Sequence, residues 1–180
     1  MARPSTVARV HSAVLELVTQ HGPSALTMEG IAVKAGVGKQ TLYRTWSSVP
    51  AILFDALLAR SASTPDHPPS DEHVDLPERL ERMLRAAIDE ISTEPNATLL
   101  RTLAAAIQTD DVMARAYRDR LLDPQLAAFH TLLRDAGASR PERTTELLLA
   151  PVFYRWFMRM PPLHGEELTR HVRDVLELDR

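Results

Sequence analysis

Residues 27–46, TMEGIAVKAGVGKQTLYRTW, leave the backbone little choice of local structure. Thr27 is a good helix N-cap, because its hydroxyl can accept one of the N–H groups that a first turn leaves unpaired. Glu29 puts a carboxylate where the helix dipole favours it, and Ile31, Ala32 and Ala35 form a narrow apolar side. Gly36 ends that helix by supplying a left-handed cap, with Val37 expected behind it as a buried plug. After Gly38, Lys39 to Trp46 is expected to form a second short helix with Leu42 and Trp46 four apart on its core side. Gln40 lies about 200° round the helix from Leu42, Arg44 follows one turn on, and Lys39 and Tyr43 flank them. Such a cationic, hydrogen-bonding surface suits a DNA major groove.

Upstream, Ser5 can cap a helix in which Val7, Val10, Val14, Leu17 and Val18 repeat at helical spacing, until His21-Gly22-Pro23 stops it. Downstream, Ser48 can cap a fourth helix that tolerates Pro50 in its first turn and turns Ile52, Leu53, Ala56 and Leu57 inward. The run IAVKAGVGKQTLYRTW with the helix before it resembles the DNA-binding domain of the TetR family of bacterial transcription regulators. The likeness covers the first third of the chain: a Gly-Pro turn, a Thr-capped second helix, Ala-Gly-Val, Thr-Leu-Tyr and an aromatic close. It implies that Thr27, Lys39, Gln40, Thr41, Tyr43, Arg44 and Thr45 meet DNA. The chemistry agrees, since Arg44 can fork onto guanine and Gln40 can pair with adenine, while Tyr43 and Thr41 can hold phosphate oxygens. Tyr43 can also be read as partly packed. Ser48 is expected to cap helix 4 and leave amides facing a phosphate. Two positions depart from the family pattern: Gly38 replaces a capping Ser, and Val49-Pro50 stands where a phosphate-binding lysine is usual.

From residue 61 to 77, prolines mix with acidic residues and nothing periodic is left to bury, so a mobile loop is expected. Leu80, Met83, Leu84, Ala87, Ile88 and Ile91 then make an amphipathic stripe, broken at Pro95-Asn96. Leu99 to Ile107, Val112 to Tyr117 and Leu126 to Leu133 read as further helices, the last continuing or restarting at Asp123-Pro124. Pro141 to Met160 is apolar on nearly all sides and must be covered twice. Leu149, Phe153, Trp156 and Met160 are assigned to its inner face and Leu148 and Val152 to a second surface, with a kink at Pro151. A last helix, Glu166 to Leu178, carries Leu168, Val172, Val175 and Leu176 on one side.

The family plan implies that this second part binds a small apolar or amphipathic molecule and makes a homodimer. Met83, Met113, Tyr117, Phe129, Phe153 and Trp156 are the candidate ligand-lining residues, although methionines and aromatics at helical spacing also serve as plain core. Leu148, Val152, Leu168, Val172 and Leu176 are the candidate dimer face, the alternative being the core of a monomer.

Composition excludes more than it selects. No apolar run reaches the ~18 residues of a membrane span, since Arg155 and Arg159 interrupt the longest one. There is no cysteine, and the seven histidines show no ligand spacing, so neither metal nor cofactor is expected. Residues 1–50 hold five basic against two acidic side chains, a balance of +3 that leaves −6 on the remainder of a chain with net charge −3. A basic head on an acidic body suits docking one end to phosphates. Without a triad, carboxylate pair or nucleotide loop, no enzyme is expected. The expectation is an all-α cytoplasmic chain, with a three-helix helix-turn-helix domain at 1–49 and a larger ligand-binding and dimerisation domain at 50–180. It would bind a double-stranded, pseudo-palindromic operator as a repressor, with helix 4 coupling the two parts. The rival is a protein-interaction module whose helix-turn-helix no longer binds DNA.

Overall fold

The computed structural model describes residues 4–61 and 74–178, and every regular element among them is helical. In order these are α1 (Pro4–His21), α2 (Met28–Ala35), α3 (Lys39–Thr45), α4 (Val49–Ser61), α5 (Leu76–Ser92), α6 (Asn96–Ile107), α7 (Asp111–Tyr117), α8 (Asp123–Asp135), α9 (Pro141–Phe157) and α10 (Gly165–Leu178). A 3-10 turn, Pro23–Ala25, precedes α2, and a π-helical turn, Arg118–Leu122, carries α7 into α8 without a break.

Most of the loop expected at 61–77 lies outside the described residues. Its two ends are helical: Ser61 closes α4, and α5 already begins at Leu76. Asp75 starts α5 by accepting the Glu78 N–H on Oδ1 at 3.0 Å, and Pro77 falls in the first turn, where its missing N–H has no helical partner to lose.

The chain divides into two compact units. The first holds the described residues of Met1–Pro65 together with Thr93–Leu121. Within it α1 packs on α2 and α4, α2 on α3, and α6 on α4 and α7. Val10, Val14, Ile31, Leu42, Ile52, Leu53, Leu99 and Leu103 are fully buried in its core. α4 is thus an integral core helix here, and Phe54 gains a second cover from the Arg120 guanidinium, 5.4 Å from its ring centroid.

The second unit holds the described residues of Asp66–Ser92 together with Leu122–Arg180, with α9 packed by α5, α8 and α10. This enclosure explains why the middle of α9 is apolar nearly all round; Leu149 is buried as expected, but four other assigned directions change. Leu148 and Val152, assigned to an outer surface, are buried among Leu80, Leu84, Leu133, Leu168 and Val172. Phe153 and Met160, assigned inward, are exposed together with Tyr154, Phe157 and Met158. The helix also ends earlier than expected, at Phe157. Arg159 takes a left-handed conformation, φ 56°, and the Met160 N–H reaches back to the Arg155 carbonyl at 2.8 Å. Trp156 remains half-buried because its indole N–H donates to the Ile91 carbonyl at 2.8 Å, tying α9 to the end of α5. Pro151 sits inside α9 and gives no N–H to the Leu147 carbonyl; His171 of α10 bonds the next carbonyl, Leu148, at 3.0 Å through Nε2.

Candidate nucleic-acid interface

The interface is built from two helix caps. Thr27 is extended, and its Oγ1 accepts the Gly30 N–H at 2.9 Å, which starts α2. Gly36 ends it in the left-handed region, φ 62° and ψ 40°, with the Gly36 and Val37 N–H groups bonded to the Val33 and Ala32 carbonyls at 3.1 and 3.0 Å. A side chain would be strained at that φ, so glycine sets the angle at which the chain enters α3. Val37 packs against the first unit's core but is only half-buried, less than the plug expected of it.

α3 begins at Lys39 after Gly38, which provides no side-chain cap, as the departure from the family pattern implied. Its stability must come from tertiary anchors. Leu42 is the buried one within the helix. Trp46 is the second, but it stands outside the helix: its backbone is extended, φ −129° and ψ 128°, while its N–H still bonds the Leu42 carbonyl at 2.9 Å. The indole N–H donates to Asp55 Oδ2 on α4 at 3.0 Å, and His11 Nε2 on α1 lies 3.1 Å from the same oxygen. One carboxylate oxygen therefore holds the end of α3 against both α1 and α4, and a buried N–H that would be costly to orphan is satisfied.

With that side anchored, Lys39, Gln40, Tyr43 and Arg44 are exposed, whereas Thr41 and Thr45 are half-buried. The Thr45 hydroxyl donates to the Thr41 carbonyl at 3.3 Å, so it is engaged within α3. Ser48 caps α4, its Oγ accepting the Ala51 N–H at 3.3 Å. Val49 is half-buried and packs against the core of the first unit, so the position usually given to a lysine carries an apolar contact.

Two features escaped the sequence. Lys39 Nζ lies 2.5 Å from Glu29 Oε1, across the turn between α2 and α3. The hydrogen bond from that ammonium is the main cause holding the Glu29 carboxyl below its ordinary range, and the same bond raises Lys39. Ten residues and a left-handed glycine separate the pair, so no helical spacing rule announces it. Arg9 of α1 also reaches the turn: its Nη1 is 3.8 Å from where a β-carbon on Gly36 would stand. Its place on the exposed side of α1 was the available signal.

The ligand candidates do not share one unit. Met113 and Tyr117 pack against the core of the first. Phe129 is buried in the core of the second, Met83 is half-buried against that core, Trp156 is half-buried in the same unit, and Phe153 is exposed. The proposed dimer residues are interior within the single chain: Leu148, Val152, Leu168 and Val172 are buried, and Leu176 is half-buried against the same cluster.

Comparison with known proteins agrees with this geometry. Residues 12–55 match the profile described as bacterial regulatory proteins, tetR family, and residues 70–175 match the tetracyclin repressor-like C-terminal domain. The HTH-type transcriptional regulator YdeS of Bacillus subtilis (strain 168) is 28% identical over 174 residues, covering 92% of this chain and 83% of that protein. The regulator AqdR of Rhodococcus erythropolis is 39% identical over 69 residues, 38% of this chain and 33% of that protein. Among solved structures, the TetR family regulator SCO0332 superposes with a TM-score of 0.72 at 28% identity, covering 96% of this chain and 97% of that one. The flavonoid-responsive regulator FrrA shares the fold, with a TM-score of 0.64 at 20% identity over 98% of this chain and 95% of that one. With its two characteristic parts both matched, one of them over more than half of its length, this chain belongs to the TetR family of bacterial transcription regulators.

Proposed function

We propose that this regulator is a cytoplasmic repressor that binds a pseudo-palindromic operator as a homodimer and is released by a small apolar or amphipathic molecule, which it binds without turning over. The observation that carries the DNA-binding part is the two-sided character of α3: Leu42 and Trp46 fix one side, and Lys39, Gln40, Tyr43 and Arg44 are left to solvent on the other. Gln40 and Arg44 are the base-reading pair, with Thr27, Lys39, Thr41, Tyr43, Thr45 and Ser48 supporting the backbone contacts. The functional division is 1–49 for DNA and 50–180 for ligand and dimer, distinct from the two compact units.

For the dimer, the interior positions of the candidate face point elsewhere in the second unit. Phe153, Tyr154, Phe157, Met158 and Met160 form an exposed apolar run at the end of α9, where Tyr154 and Phe157 are 60% and 63% exposed. A run of this kind on a water-soluble surface suits a partner, and twofold association would bring two α3 helices to half-sites about 34–36 Å apart. The ligand class rests on the Met and aromatic side chains and on the family; the fold relative FrrA is described as flavonoid-responsive.

Selection from a random duplex pool followed by a mobility shift tests the operator. Recovery of an inverted repeat that Arg44→Ala binds with relaxed preference is expected, and failure to enrich any sequence would favour the protein-interaction module. A compound library screened by thermal shift should contain molecules that both stabilise the protein and release the selected duplex. Stabilising compounds that never alter DNA binding would remove the induction step.

A further inference from the structure

Lys39 opens α3, and its ammonium is among the cations expected to meet a DNA phosphate. In the free protein it is already engaged, 2.5 Å from Glu29 Oε1. The two side chains are 58% and 54% exposed, so burial does not force the contact. Glu29 is the single acidic residue between Met28 and Thr45. The other lysine of this stretch is turned away, Lys34 Nζ lying 2.8 Å from Glu16 Oε2 on α1. The carboxylate is thus placed against the one lysine at the start of the recognition helix. With Glu29 held below its ordinary range and Lys39 held above its own, the pair stays ionised throughout neutral pH.

We propose that Glu29 is a specificity-determining residue, holding Lys39 in an internal ion pair that stands in for a DNA phosphate and yields only on the operator. The proposal rests on the DNA-binding reading above. On random sequence α3 finds no base partners, and a phosphate must displace a carboxylate already bonded to the ammonium. While the ammonium stays on the carboxylate it neutralises no phosphate, so on random sequence Lys39 adds no counterion release. On the operator, base contacts by Gln40 and Arg44 press the start of α3 against the backbone and drive the exchange. Removing the carboxylate therefore strengthens the wrong complex more than the right one.

The test compares wild type with Glu29→Gln, which keeps the side chain's length and polarity, on a random 30-bp duplex and on the duplex that the wild type selects, at four salt concentrations. For the random duplex, the slope of log affinity against log salt should steepen by about 0.9 per subunit engaged, equivalent to about eightfold tighter binding per subunit at 0.1 M salt relative to 1 M. The selected duplex should gain less, so the ratio of affinities falls. In a Lys39→Met background the same substitution should lose most of its effect, a result that neither bulk repulsion nor a structural role of Glu29 produces. An unchanged ratio, or a full effect in the Lys39→Met background, overturns the proposal. A wild type that selects no duplex overturns the operator reading and this proposal with it, whereas a wild type that selects one while Glu29→Gln leaves the ratio unchanged overturns this proposal alone.

Discussion

α3 has seven residues and one buried side chain, Leu42, while α9 has seventeen residues and is packed by three other helices. In α3 the side chains proposed to meet DNA are exposed, and the fold depends on Leu42 and on Trp46 just beyond the helix. In α9 the middle of the helix is interior, and the exposed apolar side chains collect at its C-terminal end. The contrast shows that a short helix can separate buried from exposed side chains by face, whereas an enclosed helix separates them along its length, and the proposed functions follow the exposed parts.

The strongest challenge to that contrast is Leu148→Glu. If Leu148 is interior, the substitution buries an unpaired charge and should cost more than about 4 kcal/mol, abolishing the cooperative urea transition of the second unit. A folded protein that merely becomes monomeric would place Leu148 at an interface and undo the assignment. Next comes a pair of substitutions within α3. Leu42→Ala should cost about 2–5 kcal/mol of stability. Arg44→Ala, on the opposite side, should leave the melting curve unchanged and cost ~1–3 kcal/mol of operator affinity; comparable losses of stability in both would erase the two faces. Phe157→Ser sharpens the other half of the comparison. It should preserve helicity yet weaken self-association by about 1–2 kcal/mol, seen as a shift toward monomer in sedimentation and a lower, more concentration-dependent melting temperature. A wild type that sediments as a monomer at micromolar concentration would refute the exposed face as a dimer contact. The smallest effect is expected at Arg159→Gly, which relieves the left-handed backbone after α9. A stabilisation of about 0.5–1 kcal/mol should appear in thermal unfolding, and a loss of stability would mean that the Arg159 side chain makes a compensating contact.

What the sequence disclosed follows how local the cause is. Thr27 and Gly36 announce the bounds of α2 because the capping chemistry is contained within a few residues of each. The outward placement of Gln40 and Arg44 follows from the same local geometry. Trp46 was placed inside α3 because its spacing from Leu42 fits a helical face; it leaves the helix while its indole is held by Asp55, nine residues further on. The direction of Leu148 and Val152 depended on which helices surround α9, and an all-round apolar pattern carries no information on that. The Glu29 contact needed the angle of the α2–α3 turn, which a left-handed glycine sets but does not spell out. The π-helical passage into α8 precedes Pro124, whose ring supplies no N–H to the helical ladder, so the same residue that suggested a restart accompanies a continuous connection.

The two indoles have a practical consequence. The chain contains two tryptophans, and they are divided one to each compact unit, Trp46 in the first and Trp156 in the second. Each sits in a distinct electrostatic setting, one donating to a carboxylate and the other to a backbone carbonyl. Replacing either by phenylalanine leaves a single tryptophan, whose emission, excited where the three tyrosines do not absorb, reports on one unit alone, so the order in which the units lose structure, and which of them senses an added compound or duplex first, becomes an optical measurement that requires no attached dye.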